Sequence, residues 1–345
     1  MDKVFVSGGG TGGHFYPAIS VSKVLKQENL EVVFIGTENG IEAKKEFPFG
    51  KRILFKTKGV RGKSIFEKIK AIFSLLLTTF KVYKIIKKEK PKFCMCFGGY
   101  ASLPLGLASF LTSTPLYIHE QNSVPSYTNL ILSKFAKRVF ITFQHSLSYF
   151  PKEKSILTGL PMREEIVETT KECKPPESIR EILVVGGSQG SKRINETVLK
   201  VAEELPELTF HIVRGKTDLH QKIPENVRVY TYIDDIHRFY RDVDVVISRA
   251  GSGVVNELLA CGKFAIYIPY PYAASNHQYY NVKFLKEEGI SEVIEEKDLT
   301  PQRLKKALED ISGLDLREVS RRLKAYARLY GSKNIVNTIK EDLGC

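Results

Sequence analysis

Two glycine-rich turns stand where the chain could bind phosphate, and one of them ends in a histidine. GGGTGGH at residues 8–14 and GGSQGSKRIN at residues 186–195 each follow a β-rich hydrophobic run and precede a helical pattern. Glycines allow a tight turn, and the backbone N–H groups at a helix start attract anions. Two such turns in two similar halves predict a cleft enzyme with a ligand on each side.

The first turn also fits a dehydrogenase. Gly8, Gly10 and Gly13 match the dinucleotide fingerprint, but the acidic residue expected at the end of the second strand would be Glu38, which lies beyond Gly36 and so comes later than such a site needs. A P-loop kinase is excluded at GVRGKS (59–64), because only two residues separate its glycines where a P-loop has four.

A third glycine turn, SRAGSGVVNELLACGK at residues 248–263, places Glu257 near the start of a predicted helix. A carboxylate there can accept hydrogen bonds from both hydroxyls of a ribose. The alternative is that Glu257 only complements the positive end of the helix dipole.

His14, at the end of the first turn, is the best candidate for a general base, because imidazole titrates near the working pH. The alternative is a hydrogen-bonded loop histidine. His119 and Glu120 compete with it for the role.

The elements that must position these residues are buried strands alternating with helices, which favours parallel sheets covered on both faces. The pattern restarts after Leu160–Pro176, so we predict an α/β fold of two doubly wound domains, residues 1–160 and 161–345. The nine predicted strands are residues 3–7, 31–36, 93–97, 115–119, 137–142, 180–187, 208–213, 244–248 and 264–268.

The net charge of +13 is concentrated in one segment. Residues 51–92 contain fourteen Lys or Arg and two acids, Glu67 and Glu89. Apolar side chains interspersed with lysines at residues 64–92 indicate an anionic membrane surface as a partner. A solvated basic helix is the alternative, and no nucleic-acid recognition motif is evident.

The same segment carries a helical stripe that we expect to be buried core. Its members are Ile65, Phe66, Ile69, Ile72, Phe73, Leu76, Phe80 and Tyr83.

The N-terminus lacks the pattern of a signal peptide, and no apolar run reaches the ~20 residues of a membrane span. Five cysteines without a C-x-x-C pair do not predict a disulfide framework, and we expect Cys94 and Cys96 to be buried.

Eight ordered blocks give a more specific signal than any one turn. The chain resembles the peptidoglycan N-acetylglucosaminyltransferases, which convert lipid I to lipid II. The blocks are GGGTGGHFYPA (8–18), GGYASLP (98–104), HEQNSVPSYTN (119–129), GLPMR (159–163), GGSQGSKRIN (186–195), YIDDI (232–236), SRAGSGVVNELLACGK (248–263) and NHQYYN (276–281).

The resemblance implies a GT-B architecture: two Rossmann-like domains facing across a cleft, with the final helix returning to the first domain. It implies an inverting transfer of N-acetylglucosamine from UDP-N-acetylglucosamine to the 4-hydroxyl of undecaprenyl-pyrophosphoryl-N-acetylmuramyl-pentapeptide. The enzyme would be peripheral, at the cytoplasmic face of the inner membrane. A UDP-N-acetylglucosamine 2-epimerase or a transferase with a soluble acceptor is the alternative.

The resemblance also implies which residues contact the donor, with Ile233 meeting uracil through its main chain and Glu257 the ribose. The role of His277 stays open. We expect no cofactor and no metal, because helix N-termini and backbone N–H groups can hold the leaving phosphate. The implied donor contacts are Thr11, Gly12, Gly13, Asn122, Arg163, Ser188, Ile233, Ser252, Gly253, Val254, Val255, Asn256, Glu257 and Gln278.

Overall fold

A computed structural model describes residues 2–56, 65–187 and 189–344, without the side chains of residues 65, 67 and 68. The chain divides into two compact units. The first contains Met1–Arg163 together with Leu329–Cys345, and the second contains Glu164–Arg328. Ser188 and residues 57–64 lie outside the described part.

The first unit contains a seven-stranded sheet in which every pairing is parallel, in the order β3-β2-β1-β4-β5-β6-β7. This order places β1 at the point where the winding reverses direction, the position that binds ligands in open α/β sheets. The strands are β1 (Lys3–Ser7), β2 (Glu31–Thr37), β3 (Gly50–Phe55), β4 (Phe93–Cys96), β5 (Leu116–Glu120), β6 (Arg138–Ile141) and β7 (Ser155–Leu157).

The second unit repeats the plan with six parallel strands in the order β10-β9-β8-β11-β12-β13. The prediction of two doubly wound parallel-sheet domains is therefore confirmed. The strands are β8 (Glu181–Val185), β9 (Thr209–Val213), β10 (Val227–Tyr230), β11 (Val245–Ser248), β12 (Phe264–Tyr267) and β13 (Glu292–Val293).

Helices connect the strands of each unit. Those of the first unit are α1 (Gly12–Gln27), α2 (Ile41–Lys44), α3 (Ile65–Glu89), α4 (Leu103–Leu111), α5 (Tyr127–Leu132) and α13 (Gly331–Leu343). Those of the second unit are α6 (Glu164–Glu172), α7 (Lys192–Glu204), α8 (Ile236–Asp242), α9 (Ser252–Cys261), α10 (His277–Glu287), α11 (Pro301–Ser312) and α12 (Leu316–Tyr326).

The helix predicted over the basic segment is present as α3, but the expectation that its apolar stripe is core is wrong. Phe66 is 77% exposed, Phe73 63% and Leu76 59%. The side that packs inward carries Ala71 and Val82, which are buried. Helical periodicity identifies an apolar face, but it does not say whether that face meets the protein. Among the described helices, none is long and apolar enough to cross a membrane.

The cysteines differ partly from expectation. Cys94 and Cys96 are free and buried, as predicted. Cys173 and Cys261 form a disulfide that closes a separation of 88 residues, which their spacing did not predict. Packing of α6 against α9 brings the two together.

Helix α13 belongs to the first unit, although it follows the second in the sequence. Ile335, Val336 and Ile339 lie in the same core cluster as Phe15 and Leu25. The helix is also held by an ion pair in which the Arg138 guanidinium donates two hydrogen bonds to Asp342, Nε to Oδ2 at 3.0 Å and Nη2 to Oδ1 at 2.8 Å. Arg138 keeps the pKa of Asp342 below its usual value through these bonds. The chain therefore crosses twice from one unit to the other.

We predict that Ile335→Ala lowers the free energy of unfolding by about 2–5 kcal/mol, because it leaves a cavity in this core. Urea denaturation followed by circular dichroism measures the change. Asn337→Ala is the matched control, since Asn337 is exposed on the same helix and its replacement is expected to cost little. An equal effect of both substitutions would contradict the placement of α13.

Candidate active site

The first glycine turn ends at the N-terminus of α1, at the carboxyl end of β1. Thr11 is the N-cap residue and has extended backbone angles, while Gly10 has a φ of +86°. Thr11 and Gly13 are exposed, and Gly12 is half-buried. The first N–H groups of a helix have no partner within it, so this turn presents donors to an anion.

A buried carboxylate supports the turn from beneath. Glu42 is fully buried and accepts hydrogen bonds from the backbone N–H of Gly10 at 2.7 Å and from the Thr37 hydroxyl at 2.6 Å. A Cβ atom on Gly9 or Gly40 would overlap this carboxylate. The chain thus uses its buried acid to shape the loop. No motif in the sequence pointed to Glu42.

His14 lies in the first turn of α1 and is joined to two buried polar side chains. Its Nδ1 is 2.8 Å from Oε1 of Gln121, and Nε2 of Gln121 is 3.0 Å from Nδ1 of His119. His119 lies in β5, and burial lowers its pKa to about 4, so its ring is neutral at physiological pH. Gln121 was not predicted as a site residue, although it lies within the HEQN block.

The two other candidates for the general base, Glu120 and His119, are buried and already hydrogen-bonded. Glu120 is fully buried and accepts hydrogen bonds from Asn122 N at 2.9 Å and from Asn129 Nδ2 at 2.8 Å. It therefore folds the loop after β5. His119 is also fully buried. Of the three candidates, His14 alone is partly exposed.

Two further predicted donor contacts lie in the first unit. Asn122, after β5, is half-buried. Arg163 is also half-buried, and its guanidinium lies 5.6 Å from the centre of the Tyr16 ring, which belongs to α1. The cation–π contact orients Arg163 along the helix that starts with the glycine turn.

The second glycine turn joins β8 to α7. Gly187 and Gly190 have φ values of +89° and +79°, and a Cβ on Gly190 would collide with the Arg214 carbonyl. Ser191 is the N-cap of α7 and accepts a hydrogen bond from Nη2 of Arg249 at 2.9 Å. Only glycine at position 190 permits the close approach of the Arg214 main chain. Ser188, predicted in this turn, lies outside the described residues.

The third turn leads into α9, whose N-cap is Gly251. Ser252, Gly253 and Val254 form the first helical turn, where N–H groups lack helical partners. Val255 and Asn256 were also predicted to contact the donor. Their side chains are buried, and Asn256 Nδ2 donates to the Ser252 carbonyl at 2.8 Å.

Glu257 is half-buried in the second turn of α9 and is held by a tyrosine. The hydroxyl of Tyr240, from α8, donates a hydrogen bond to Oε2 of Glu257 at 2.9 Å. Tyr240 itself is almost fully buried. The pair fixes the direction of the carboxylate. Tyr240 carries no sequence signal, because its partner is 17 residues away on another helix.

Gln278, at the start of α10, ties two loops together. Its Oε1 accepts hydrogen bonds from Ala250 N at 3.1 Å and Tyr270 N at 2.9 Å. Only the amide NH2 group is left for other contacts. His277 Nδ1 is 2.8 Å from the Ala274 carbonyl, so this ring nitrogen caps a turn. Ile233 is half-buried in the loop after β10.

The second unit contains one D-x-D triplet, Asp242–Asp244, of the kind that holds cations in other transferases. Asp242 pairs with Nε of Arg241 at 2.7 Å, and Asp244 accepts hydrogen bonds from the backbone N–H of Arg180 and Glu181. The triplet precedes β11, at the opposite end of the sheet from the glycine turns. Within the described ranges, no cluster of three or more His, Cys, Asp or Glu side chains could hold a metal ion.

Two family models match most of the chain. Residues 4–141 match the N-terminal domain of glycosyltransferase family 28, and residues 181–338 match its C-terminal domain. The chain is 55% identical over 343 residues to a protein of Sulfurihydrogenibium sp., covering 99% of each. It is 37% identical over 322 residues to one of Aquifex aeolicus, covering 89% of this chain and 91% of that protein. Both relatives are named UDP-N-acetylglucosamine–N-acetylmuramyl-(pentapeptide) pyrophosphoryl-undecaprenol N-acetylglucosamine transferase.

Solved structures agree with this assignment. The crystal structure of Acinetobacter baumannii MurG matches with a TM-score of 0.82 and 29% identity, covering 99% of this chain and 100% of that chain. A UDP-GlcNAc 2-epimerase from Neisseria meningitidis matches at 13% identity with a TM-score of 0.64, over 99% of this chain and all of that one, which shows the shared fold alone. The chain therefore belongs to glycosyltransferase family 28 and, within it, to the group that includes MurG.

Proposed function

We propose that this chain transfers N-acetylglucosamine from UDP-N-acetylglucosamine to the 4-hydroxyl of N-acetylmuramyl-pentapeptide on undecaprenyl pyrophosphate (lipid I). The product is lipid II with a β-1,4 link, a step in peptidoglycan synthesis. The observation that carries the proposal is the 55% identity, over nearly the whole of both chains, to a relative with that name.

The second unit would bind the UDP part of the donor. The N–H groups at the starts of α7 and α9, which follow the second and third glycine turns, suit the two phosphates, whose charge grows as UDP leaves. Glu257, oriented by Tyr240, would accept hydrogen bonds from the ribose hydroxyls. Ile233 would meet the uracil through its main chain. Since Val255 and Asn256 have buried side chains, any contact by them is with the main chain.

The first unit would supply the residues around the sugar and the base. Thr11, Gly12 and Gly13 offer helix N-terminal donors, and Asn122 and Arg163 complete the predicted set. His14 removes the proton of the acceptor hydroxyl, whose oxygen attacks the anomeric carbon from the side opposite UDP. The bond from that carbon to the phosphate oxygen breaks, and UDP leaves with the electron pair. Because the attack comes from the side opposite UDP, the configuration of the anomeric carbon is inverted.

Helix α3 would bring the enzyme to its lipid-borne acceptor at the cytoplasmic face of the inner membrane. Its outer face combines large exposed apolar side chains with lysines. Phe110 and Leu111 at the end of α4, which packs on α3, are also exposed. An apolar face surrounded by lysines suits peripheral binding to anionic lipid. The members on α3 are Phe66, Ile69, Lys70, Ile72, Phe73, Leu76, Leu77, Phe80, Lys81, Lys84, Lys87 and Lys88.

The direct test is transfer of radiolabelled N-acetylglucosamine from its UDP form to a lipid I analogue, with released UDP measured in parallel. We expect labelled lipid and UDP in equal amounts, and no loss of rate with a chelator, because backbone N–H groups meet the phosphate charge. Release of UDP without labelled lipid would contradict the transferase. Activity abolished by chelation and restored by Mg²⁺ would contradict metal independence.

The proposed ribose contact predicts a specific kinetic effect of Glu257→Ala. The KM for UDP-N-acetylglucosamine should rise roughly 10- to 150-fold, since a hydrogen bond to a charged group contributes about 1.5–3 kcal/mol. Tyr240→Phe should raise the same KM less, because the carboxylate stays but loses its orientation. Glu287→Ala, an exposed acid on α10, is the control. An unchanged KM for Glu257→Ala would contradict the assignment.

The membrane role of α3 predicts a loss of vesicle binding in the double variant Phe73→Ser, Leu76→Ser. Affinity for anionic phospholipid vesicles should fall about 10- to 100-fold, while transfer to a soluble acceptor analogue is kept. The control is Ile223→Ser, Leu314→Ser, which removes exposed apolar side chains from the second unit. Equal binding of the wild type to anionic and neutral vesicles would contradict the role of the lysines.

A further inference from the structure

The hydrogen-bond chain that ends at His14 begins at a main-chain carbonyl, which can only accept a hydrogen bond. Nε2 of His119 is 3.1 Å from the carbonyl oxygen of Gly159. That nitrogen must therefore carry a hydrogen and donate it. His119 is fully buried and neutral, with its pKa lowered to about 4 by burial, so its Nδ1 keeps a lone pair.

The amide of Gln121 can then take only one orientation. One end of it lies 3.0 Å from Nδ1 of His119 and also 3.0 Å from the main-chain carbonyl of His119. Both of these atoms accept hydrogen bonds, so this end must be the NH2 group. The carbonyl end, Oε1, consequently points away from His119. Gln121 is fully buried, which prevents water from taking over either contact.

Oε1 of Gln121 lies 2.8 Å from Nδ1 of His14. Because an amide oxygen only accepts, Nδ1 of His14 must be the protonated nitrogen. In the neutral ring the lone pair is then on Nε2, which has no hydrogen-bond partner among the described residues. A Cβ atom on Gly99 would lie 3.1 Å from Cδ2 of His14 and 3.5 Å from Nε2. Glycine at this position leaves the ring its space.

We propose that Gln121 and His119 are positioning residues that hold His14 with its proton on Nδ1, so that Nε2 is the atom that accepts the proton of the acceptor hydroxyl. The inference rests on the proposed function of His14 as the base. A neutral histidine free in water carries its proton mainly on Nε2, so an unconstrained His14 would mostly present the wrong nitrogen. Two buried side chains, rather than a carboxylate, select the tautomer here.

The first test needs no variant and no substrate. The full chain labelled with nitrogen-15 histidine reports the protonated nitrogen of each neutral ring by its chemical shift, and His14→Asn identifies the signals of His14. We expect the lone pair of His14 on Nε2. A wild-type His14 that carries its proton on Nε2 overturns the proposal.

The second test removes the link. Gln121→Met has a side chain of similar length without the amide, so the proton of His14 should move mainly to Nε2. We expect kcat to fall roughly 5- to 100-fold, the lower figure from the tautomer shift alone and the upper one from complete loss of the general base, while the KM for UDP-N-acetylglucosamine changes less than about threefold. An unchanged tautomer in this variant overturns the role of Gln121.

The matched control is Thr142→Val. Thr142 is buried and donates to the Glu120 carbonyl at 3.0 Å, beside this chain of side chains but not within it. We expect a similar loss of stability with the tautomer and kcat kept. A loss of kcat in Thr142→Val equal to that in Gln121→Met would mean that Gln121 is merely structural, and the proposal would fail.

Failure of the proposed function gives a different result. If His14 has the expected tautomer but His14→Ala keeps kcat within a few-fold, the catalytic part is overturned although the hydrogen-bond chain is correct. If no labelled lipid forms at all, the transferase assignment fails, and the tautomer measurement still stands on its own.

Discussion

Both halves of this molecule depend on helices that begin at the carboxyl ends of parallel strands, because the first N–H groups of a helix have no partner within it. A parallel strand must be followed by a crossover, so every loop that enters a helix leaves from the same edge of its sheet. The turns at residues 8–14, 186–191 and 249–252 are all of this kind. Each turn leads to N–H groups at the start of a helix. Such a group can lack a protein partner without energetic cost only where a ligand or water binds it.

The two units stabilise these turns in different ways. In the first unit, buried side chains do so: Glu42 accepts hydrogen bonds from the glycine turn, and Glu120 folds the loop after β5. In the second unit, glycines at positive φ bring main chain against main chain, and Arg249 and Gln278 join neighbouring loops. The Glu42 carboxylate and the Gln278 amide, rather than water, hold the backbone of these loops, so the loops are oriented before a substrate binds.

The sequence predicted the interior of both sheets and missed their edges. All nine predicted strands are present, and the four missed ones, β3, β7, β10 and β13, are the edge strands. Edge strands are half-exposed, and β13 has only two residues, so no continuous hydrophobic run identifies them. Glu42, Gln121 and Tyr240 were not predicted as site residues for another reason. Their partners are distant in the sequence, and no local pattern encodes such a contact. The apolar face of α3 was wrongly predicted to be buried, because helical periodicity does not show whether that face packs against the protein.

The position of α13 has a consequence for how the protein is made. This helix completes the core of the first unit around Phe15 and Leu25, yet the ribosome synthesises it after the whole of Glu164–Arg328. The first unit therefore leaves the ribosome with an apolar groove uncovered, and it keeps that groove while the second unit emerges. The usual order, in which the N-terminal domain finishes folding first, is reversed here. This part of the first unit's core is therefore the last to be covered during synthesis.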